Sequence, residues 1–260
     1  MKTSPIPTFL AFAILLTWFV FNTSAYCQND TTQTKSSNED LSNNNFRKGY
    51  MRLGFIAIPK SEMDYTLSPF DNLQAGRTGA GLGYTLEFGR NYYFNHSGHS
   101  LIKYGLDWTV ISINYSELDW RDYSEARLNS ETDQAKFHYL SLASKLGPVL
   151  SINPIEKLVL DFRVQVGISF HSMLVDYYED NNGDSFSLTG GEGSPLESIS
   201  ELSIFPNLGI TIRRKWIGFA MDYFKQTPRL NYSSELEGEG TVDVPISTKQ
   251  IKMIFSFNSK

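Results

Sequence analysis

From residue 46 onward the sequence alternates apolar residues with polar or small ones over stretch after stretch. Between Lys157 and His171, Leu158, Leu160, Phe162, Val164, Val166 and Ile168 share one parity; Val159, Asp161, Arg163, Gln165, Gly167 and Ser169 share the other. A β-strand sends successive side chains to opposite faces, so this period of two predicts a strand with one apolar and one polar face. Similar patterns run through Leu82–Phe88, Tyr104–Val110, Leu202–Ile212, Ile217–Tyr223 and Ile251–Phe257. Residues 49–58 and 136–152 alternate less cleanly. Pro148 and Pro206 lack the N–H a ladder needs and predict a bulge or a strand end.

That makes eight strands, and their connections alternate in length. Residues 59–78, 116–135, 176–200 and 226–246 are long; 95–100, 153–156 and 213–215 are short. An even strand number, with short turns at one end and long loops at the other, is the pattern of an outer-membrane barrel. The expectation is therefore an all-β, eight-stranded antiparallel up-and-down transmembrane barrel over 46–260. Mean hydropathy is −0.27, which excludes a bundle of membrane-crossing helices of about 20 apolar residues each. It does not exclude strands that cross with one face only.

A lipocalin-like barrel alternates too, but turns its apolar face inward. Three features favour apolar-out. Most strands can supply the roughly 9–11 residues that a tilted membrane strand needs. The polar parity is rich in glycine (Gly54, Gly81, Gly83, Gly89, Gly105, Gly147, Gly167, Gly209, Gly218), which suits a crowded interior. Its charges also nearly balance: Arg52, Lys103, Lys145, Arg163 and Lys252 against Glu87, Asp107, Asp161, Glu201 and Asp222. Buried charges must pair, so these ten are expected to form a charge network in a lumen filled by side chains. Tyr92, Tyr93, Phe94, Trp216, Phe255 and Phe257 fall near the short turns and are expected to form an aromatic girdle at one membrane interface.

The N-terminus reads as an address. Lys2 precedes the apolar run Phe9–Phe21, and small residues follow, with Ala25 and Cys27 placing a cut before Gln28. Residues 1–27 are thus expected to be a secretory signal peptide. A lipoprotein would acylate Cys27, but bulky Tyr26 sits where a small residue belongs. Residues 28–45 are polar and predict a flexible periplasmic tail. The only cysteine would leave with the signal.

The segments YGLDW (104–108) and KLGPVLSINPIEKLVLDFRVQVG (145–167), with the alternating final strand KQIKMIFSF (249–257), resemble the porin-like, PorT-like outer-membrane barrels of Bacteroidetes. The resemblance covers roughly 46–260 and is architectural. It implies a Gram-negative outer membrane, both chain ends in the periplasm, contact with membrane lipid and handling by the barrel-assembly machinery. The final strand departs from the usual assembly signal, since Asn258-Ser259-Lys260 follow its last aromatic. Members of this family differ in role, so the fold leaves function open.

The long loops are acidic. Asp and Glu exceed Lys and Arg by one in 60–78, four in 116–135, six in 176–200 and three in 226–246, while the whole chain is only −5. A hydrated surface explains this, as does recognition of a basic partner; nothing suggests nucleic acid. Asp176, Glu179, Asp180 and Asp184 form a candidate cation-binding loop, although the EF-hand register fails. His96 and His99 lie in a small turn without nearby acids, so no metal centre is expected. His138 and His171 fall on opposite faces of their strands, and His171-Ser172 point apart. No cofactor motif is present: the glycines of 79–89 recur every second residue and no helix follows. The sequence thus points to a non-enzymatic barrel with a plugged polar lumen. Its expected role is structural, or recognition through acidic extracellular loops, with membership of an outer-membrane protein complex as one form. A narrow porin-like channel and a secreted lipocalin-like carrier are the alternatives.

Overall fold

A computed structural model describes residues 46–58, 62–94, 101–128, 135–155, 157–179, 184–188 and 202–258. The segments expected to be a signal peptide (1–27) and a tail (28–45) lie outside the described residues. The barrel strands are β1 (Gly49–Ala57), β2 (Ala80–Tyr93), β3 (Ile102–Asp119), β4 (Lys136–Ile155), β5 (Leu158–Glu179), β7 (Ser203–Arg214), β8 (Ile217–Gln226) and β11 (Ile246–Phe257). Each pairs antiparallel with its neighbours, β5 meets β7, and β1 meets β11 from Gly49↔Phe257 to Ala57↔Lys249. The wall is therefore a closed eight-stranded antiparallel barrel. Closure by β1 and β11 brings Phe46 and Asn258, the ends of the described barrel, to the short-turn end.

Three further strands and two short helices were not legible as elements. β6 (Asp184–Leu188) pairs with the upper part of β5, where Val175 faces Leu188. β9 (Arg229–Ser234) and β10 (Gly238–Asp243) form a hairpin that carries β8 and β11 beyond Pro228 and Pro245. Helix α1 (Pro69–Gln74) starts at Ser68, whose hydroxyl accepts from the Asp71 N–H at 3.1 Å. Helix α2 (Arg121–Leu128) follows β3 directly. The long connections are thus partly built structure.

The apolar parity faces out. Val164, Val166, Ile204, Leu208, Ile210, Phe219, Met221 and Ile251 are all exposed, Ile204 to 69%. From Leu202 to Ile212 the chain advances about 33 Å, which at a tilt near 40° spans about 25 Å of height, the usual apolar band of such barrels. The inward apolar face of a lipocalin-like carrier is absent at this level.

The polarity of the two faces reverses nearer the long loops. Along β5 the inward residues run Asp161, Arg163, Gln165, Ser169, His171 and then Met173, Val175, Tyr177. The outward ones run Phe162 to Leu174 and end at exposed Asp176. Below this level the wall is polar inside and apolar outside; above it the reverse holds, as in a protein standing in water. Ile56, Leu73, Leu118, Trp120, Phe137, Phe186, Leu230, Val242 and Ile246 join one buried apolar cluster there. This is a folded head on the barrel.

Local corrections follow from hydrogen bonding. The hairpins predicted at 153–156 and 213–215 are tighter: Ile155 pairs with Leu158 and Arg214 with Ile217. Lys157 (φ 69°) and Lys215 (φ 59°) adopt the left-handed turn conformation. A register shift between Thr109 and Ser112 moves the inward parity of β3 from odd to even residues, which extends it well past Val110. Pro206 directly precedes the first β7–β8 pair, Asn207↔Phe224. Pro148 lies within β4 without a register shift, between the β5 pairs Leu146↔Val166 and Val149↔Arg163. Gly81 is exposed at the upper end of β2 and does not line the lumen.

Candidate functional site

The lumen is the only part of the described barrel where ionisable groups are gathered and withheld from water. Alternation along all eight barrel strands delivers them, and strand pairing sets their height. Arg52 of β1 lies beside Glu87 of β2 in the ladder, and Arg163 of β5 beside Gly209 of β7.

At mid-height Glu87 accepts from Lys145 Nζ at 2.5 Å, Lys252 Nζ at 2.7 Å, the Ser112 hydroxyl at 3.0 Å and Arg52 Nη1 at 3.4 Å. Asp107 takes Arg52 Nη2 at 3.2 Å and Arg163 Nε at 3.5 Å, and accepts from the Tyr50 hydroxyl. Asp222 accepts from Arg163 Nη2 at 2.8 Å and from Lys252. Arg52 also lies 3.7 Å from the centroid of the Tyr50 ring. Four cations thus share three carboxylates in one continuous set. Two glycines make room for it. A Cβ on Gly209 would strike Asp222 Oδ1 and the Arg163 guanidinium, and one on Gly89 would strike the Tyr50 hydroxyl.

Nearer the short turns a second pair stands apart. Arg213 Nε reaches Asp161 at 3.0 Å, Ser151 donates to Asp161 at 2.6 Å, and Arg213 Nη2 lies 3.1 Å from the Tyr93 hydroxyl. Lys103 is buried with its ammonium 5.0 Å from the Phe46 ring centroid. Above the central set, Gln250 donates to Asn114 at 2.9 Å and Asn114 to Ser141 at 3.0 Å. His171 sits between Ser169 (Nε2, 2.8 Å) and Tyr139 (Nδ1, 2.7 Å), and Gln226 donates to the Tyr139 hydroxyl at 3.0 Å. The Ser169–His171 pair is buried inside the barrel, while His138 faces outward beside Tyr115.

The head closes over this column. Trp120 packs edge-on against Phe137 (5.2 Å), Tyr177 (5.7 Å) and Tyr123 (6.1 Å), and its indole N–H donates to the Thr78 carbonyl at 2.9 Å. In the 62–78 segment, Asp64 accepts from the Thr66 hydroxyl (2.7 Å) and amide (3.0 Å) and pairs with Arg77 at 2.9 Å. These contacts, the Thr66 hydroxyl first, hold its carboxyl below the usual range. The Asp119 carboxyl is lowered chiefly by its hydrogen bonds from Arg121.

Nine of the ten lumen residues read from the sequence are buried in these two sets or beside them; Glu201 lies outside the described residues. Sequence reading missed Arg213, assigned to a turn although it continues the inward parity Ser203 to Thr211. It also missed Tyr50, and it placed Tyr93 in the girdle, whereas its hydroxyl faces Arg213 and Ser151 in the lumen. The other girdle residues do lie near the short turns: Tyr92, Phe94, Trp216 and Phe257 are exposed, and Trp216 stacks on Phe255 at 6.0 Å. In the candidate cation loop, Asp176 is exposed on β5, the Glu179 and Asp184 backbones pair across the β5–β6 hairpin, and Asp180 lies outside the described residues. Among the described residues no group of three His, Cys, Asp or Glu is placed to hold a metal. His96 and His99 are also outside them.

No family model and no curated protein matches the sequence. Among solved structures the chain is similar to Ail, the attachment invasion locus protein of Yersinia pestis, at 12% identity over 81% of this chain and 99% of that one (TM-score 0.37). It is similar to the outer membrane protein OprG from Pseudomonas aeruginosa at 12% identity over 82% and 96% (TM-score 0.40). A structure of Ail in a phospholipid bilayer nanodisc aligns at 14% identity over 82% and 100% (TM-score 0.32). The fold itself rests on the strand pairing: a closed, eight-stranded antiparallel barrel with an apolar exterior and a charged, side-chain-filled interior.

Proposed function

We propose that this chain is a non-enzymatic integral outer-membrane barrel that presents a folded, acidic head to the outside of the cell. The observation that carries the reading is the reversal in polarity of the two faces along β5. One face meets lipid below Leu174 and water above it, which only a chain standing in two solvents requires. The lumen supports a closed barrel: the ion-pair set fills its middle and the apolar cluster around Trp120 covers its upper end. The described surface of the head supports recognition. Of its basic groups, Arg77, Arg121, Lys136 and Arg229 are each paired with a neighbouring carboxylate, and Arg127 donates to the Leu67 carbonyl. Exposed Asp71, Asp122, Asp176, Glu235 and Glu239 remain to meet a basic partner. In this reading the short turns and both chain ends face the periplasm, and the kinship is with the PorT-like barrels of Bacteroidetes, on the segments quoted above. Membership of a larger outer-membrane complex is one form of the recognition role.

The test has two parts. The refolded chain should insert into phospholipid vesicles with its strands protected from protease, and a planar bilayer should then show no steady conductance. A steady open-channel current would replace this reading with a narrow channel. A mature chain soluble without detergent would end the membrane assignment. Copurification in mild detergent then reveals a stable partner or an isolated barrel.

A further inference from the structure

On β2 the outward wall carries a cation, Arg90, among apolar neighbours. On β2 the outward positions are Leu82, Tyr84, Leu86, Phe88, Arg90 and Tyr92, while Glu87, Gly89 and Asn91 face the lumen. Arg90 is the last rung but one before the short-turn end. It is not free to wander. Its guanidinium carbon lies 5.4 Å from the centroid of the Tyr92 ring. Its ladder partners are Trp108 of β3 and Gly49 of β1, and the Phe257 ring fills the space where a Gly49 Cβ would stand. The cation is therefore set in a notch among Tyr92, Trp108 and Phe257. Its Nε is buried without a hydrogen-bond partner, and among the described residues no carboxylate pairs with it.

A guanidinium presents its donors in a fixed planar fork that matches two oxygens of a phosphate. Facing lipid, it must meet either water drawn into the band or a headgroup. Its height, one rung above the exposed aromatics Tyr92 and Phe94, is that of the headgroup boundary. We infer that Arg90, framed by Tyr92, Trp108 and Phe257, is a binding site for the phosphate of a membrane phospholipid in the leaflet facing the short turns. The aromatic rings flank the upper acyl chain and glycerol, and the guanidinium holds the phosphodiester. The inference rests on the membrane reading above and adds a specific lipid contact to it.

The experiment is native mass spectrometry of the full chain refolded in detergent and titrated with phosphatidylglycerol, phosphatidylethanolamine or a diacylglycerol of the same chains. Wild type should retain one phospholipid and at least fivefold less diacylglycerol. The two phospholipids, which share the phosphate, should agree within threefold. Arg90→Gln should lower phospholipid retention at least fivefold. Arg214→Gln, which removes an exposed outward cation at the same end of β7, should leave it within twofold. Equal retention of diacylglycerol, a more than tenfold preference between the phospholipids, or an equal loss in Arg214→Gln would each overturn the site. Heat-modified gel migration reports whether the variants fold; if Arg90→Gln does not, the wild-type comparison of phospholipid with diacylglycerol decides alone. A chain that inserts into vesicles yet shows no phosphate dependence sinks this inference only.

Discussion

Replacing Glu87 by Gln tests the idea that the lumen is held by charge pairing. The substitution keeps the shape and one acceptor oxygen, turns the other into an NH2 donor, and removes one of the three carboxylates that face Arg52, Lys145, Arg163 and Lys252. Lys145 and Lys252 lie 2.5 and 2.7 Å from its Oε1, all of them fully buried. Breaking a buried pair on one side leaves an uncompensated charge and costs about 3–5 kcal/mol; the retained amide oxygen favours the low end, about 3 kcal/mol. With a urea slope of about 2 kcal/mol per M, the unfolding midpoint from lipid vesicles should fall by about 1.5 M. Tryptophan fluorescence reads this, because Trp108 and Trp216 face outward and, on the proposed membrane reading, leave lipid on unfolding. Glu117→Gln is the control: its pair with Lys136 at 3.4 Å leaves both side chains 44% exposed, and such pairs contribute less than about 1 kcal/mol. Adding Lys145→Met to Glu87→Gln should recover part of the loss, with a coupling of about 1–3 kcal/mol. If Glu87→Gln and Glu117→Gln shift the midpoint equally, the lumen is hydrated enough to screen its charges and the pairing argument fails.

Other consequences follow from named contacts. Gly209→Val should cost about 1–3 kcal/mol, because its Cβ meets Asp222 and Arg163 in a filled lumen; urea titration checks it, and no change would mean an open interior. Trp120→Ala should cost the head about 3–5 kcal/mol and open it to limited proteolysis, while the membrane-embedded strands stay protected. Asp64 has its carboxyl pKa lowered by the folded state, first by the Thr66 hydroxyl. Its contribution is therefore complete above the unfolded carboxylate value near 4 and is lost as pH falls through the lowered folded value. A carboxyl-resolved NMR titration should find Asp64 below that reference, and Thr66→Val should raise it.

The barrel was readable because a strand with one apolar and one polar face must show its period of two in full. Outside and lumen impose opposite demands on neighbouring residues, as in Leu160, Asp161, Phe162 and Arg163. The long–short alternation of connections then ordered the strands. Arg213 and Tyr93 were misread because alternation continues to the last rung of a strand, while a short polar or aromatic run looks like a turn or a girdle. The bulge at Val110 hid the second half of β3, since one extra residue flips the parity and ends any pattern sought with a fixed phase.

The amino-acid order by itself determined the parity of each barrel strand, hence which residues face outward and which face the lumen and must find partners. It did so because a strand's facing is a local property with a period of two. Who pairs with whom was decided only by the closed sheet, since Glu87 meets Lys145 and Lys252 through strand order, register and shear. The head was likewise hidden. Met173, Val175 and Tyr177 continue the parity of Asp161 and Arg163, and only the height at which β6, β9 and β10 surround them turns that inward face from polar to apolar.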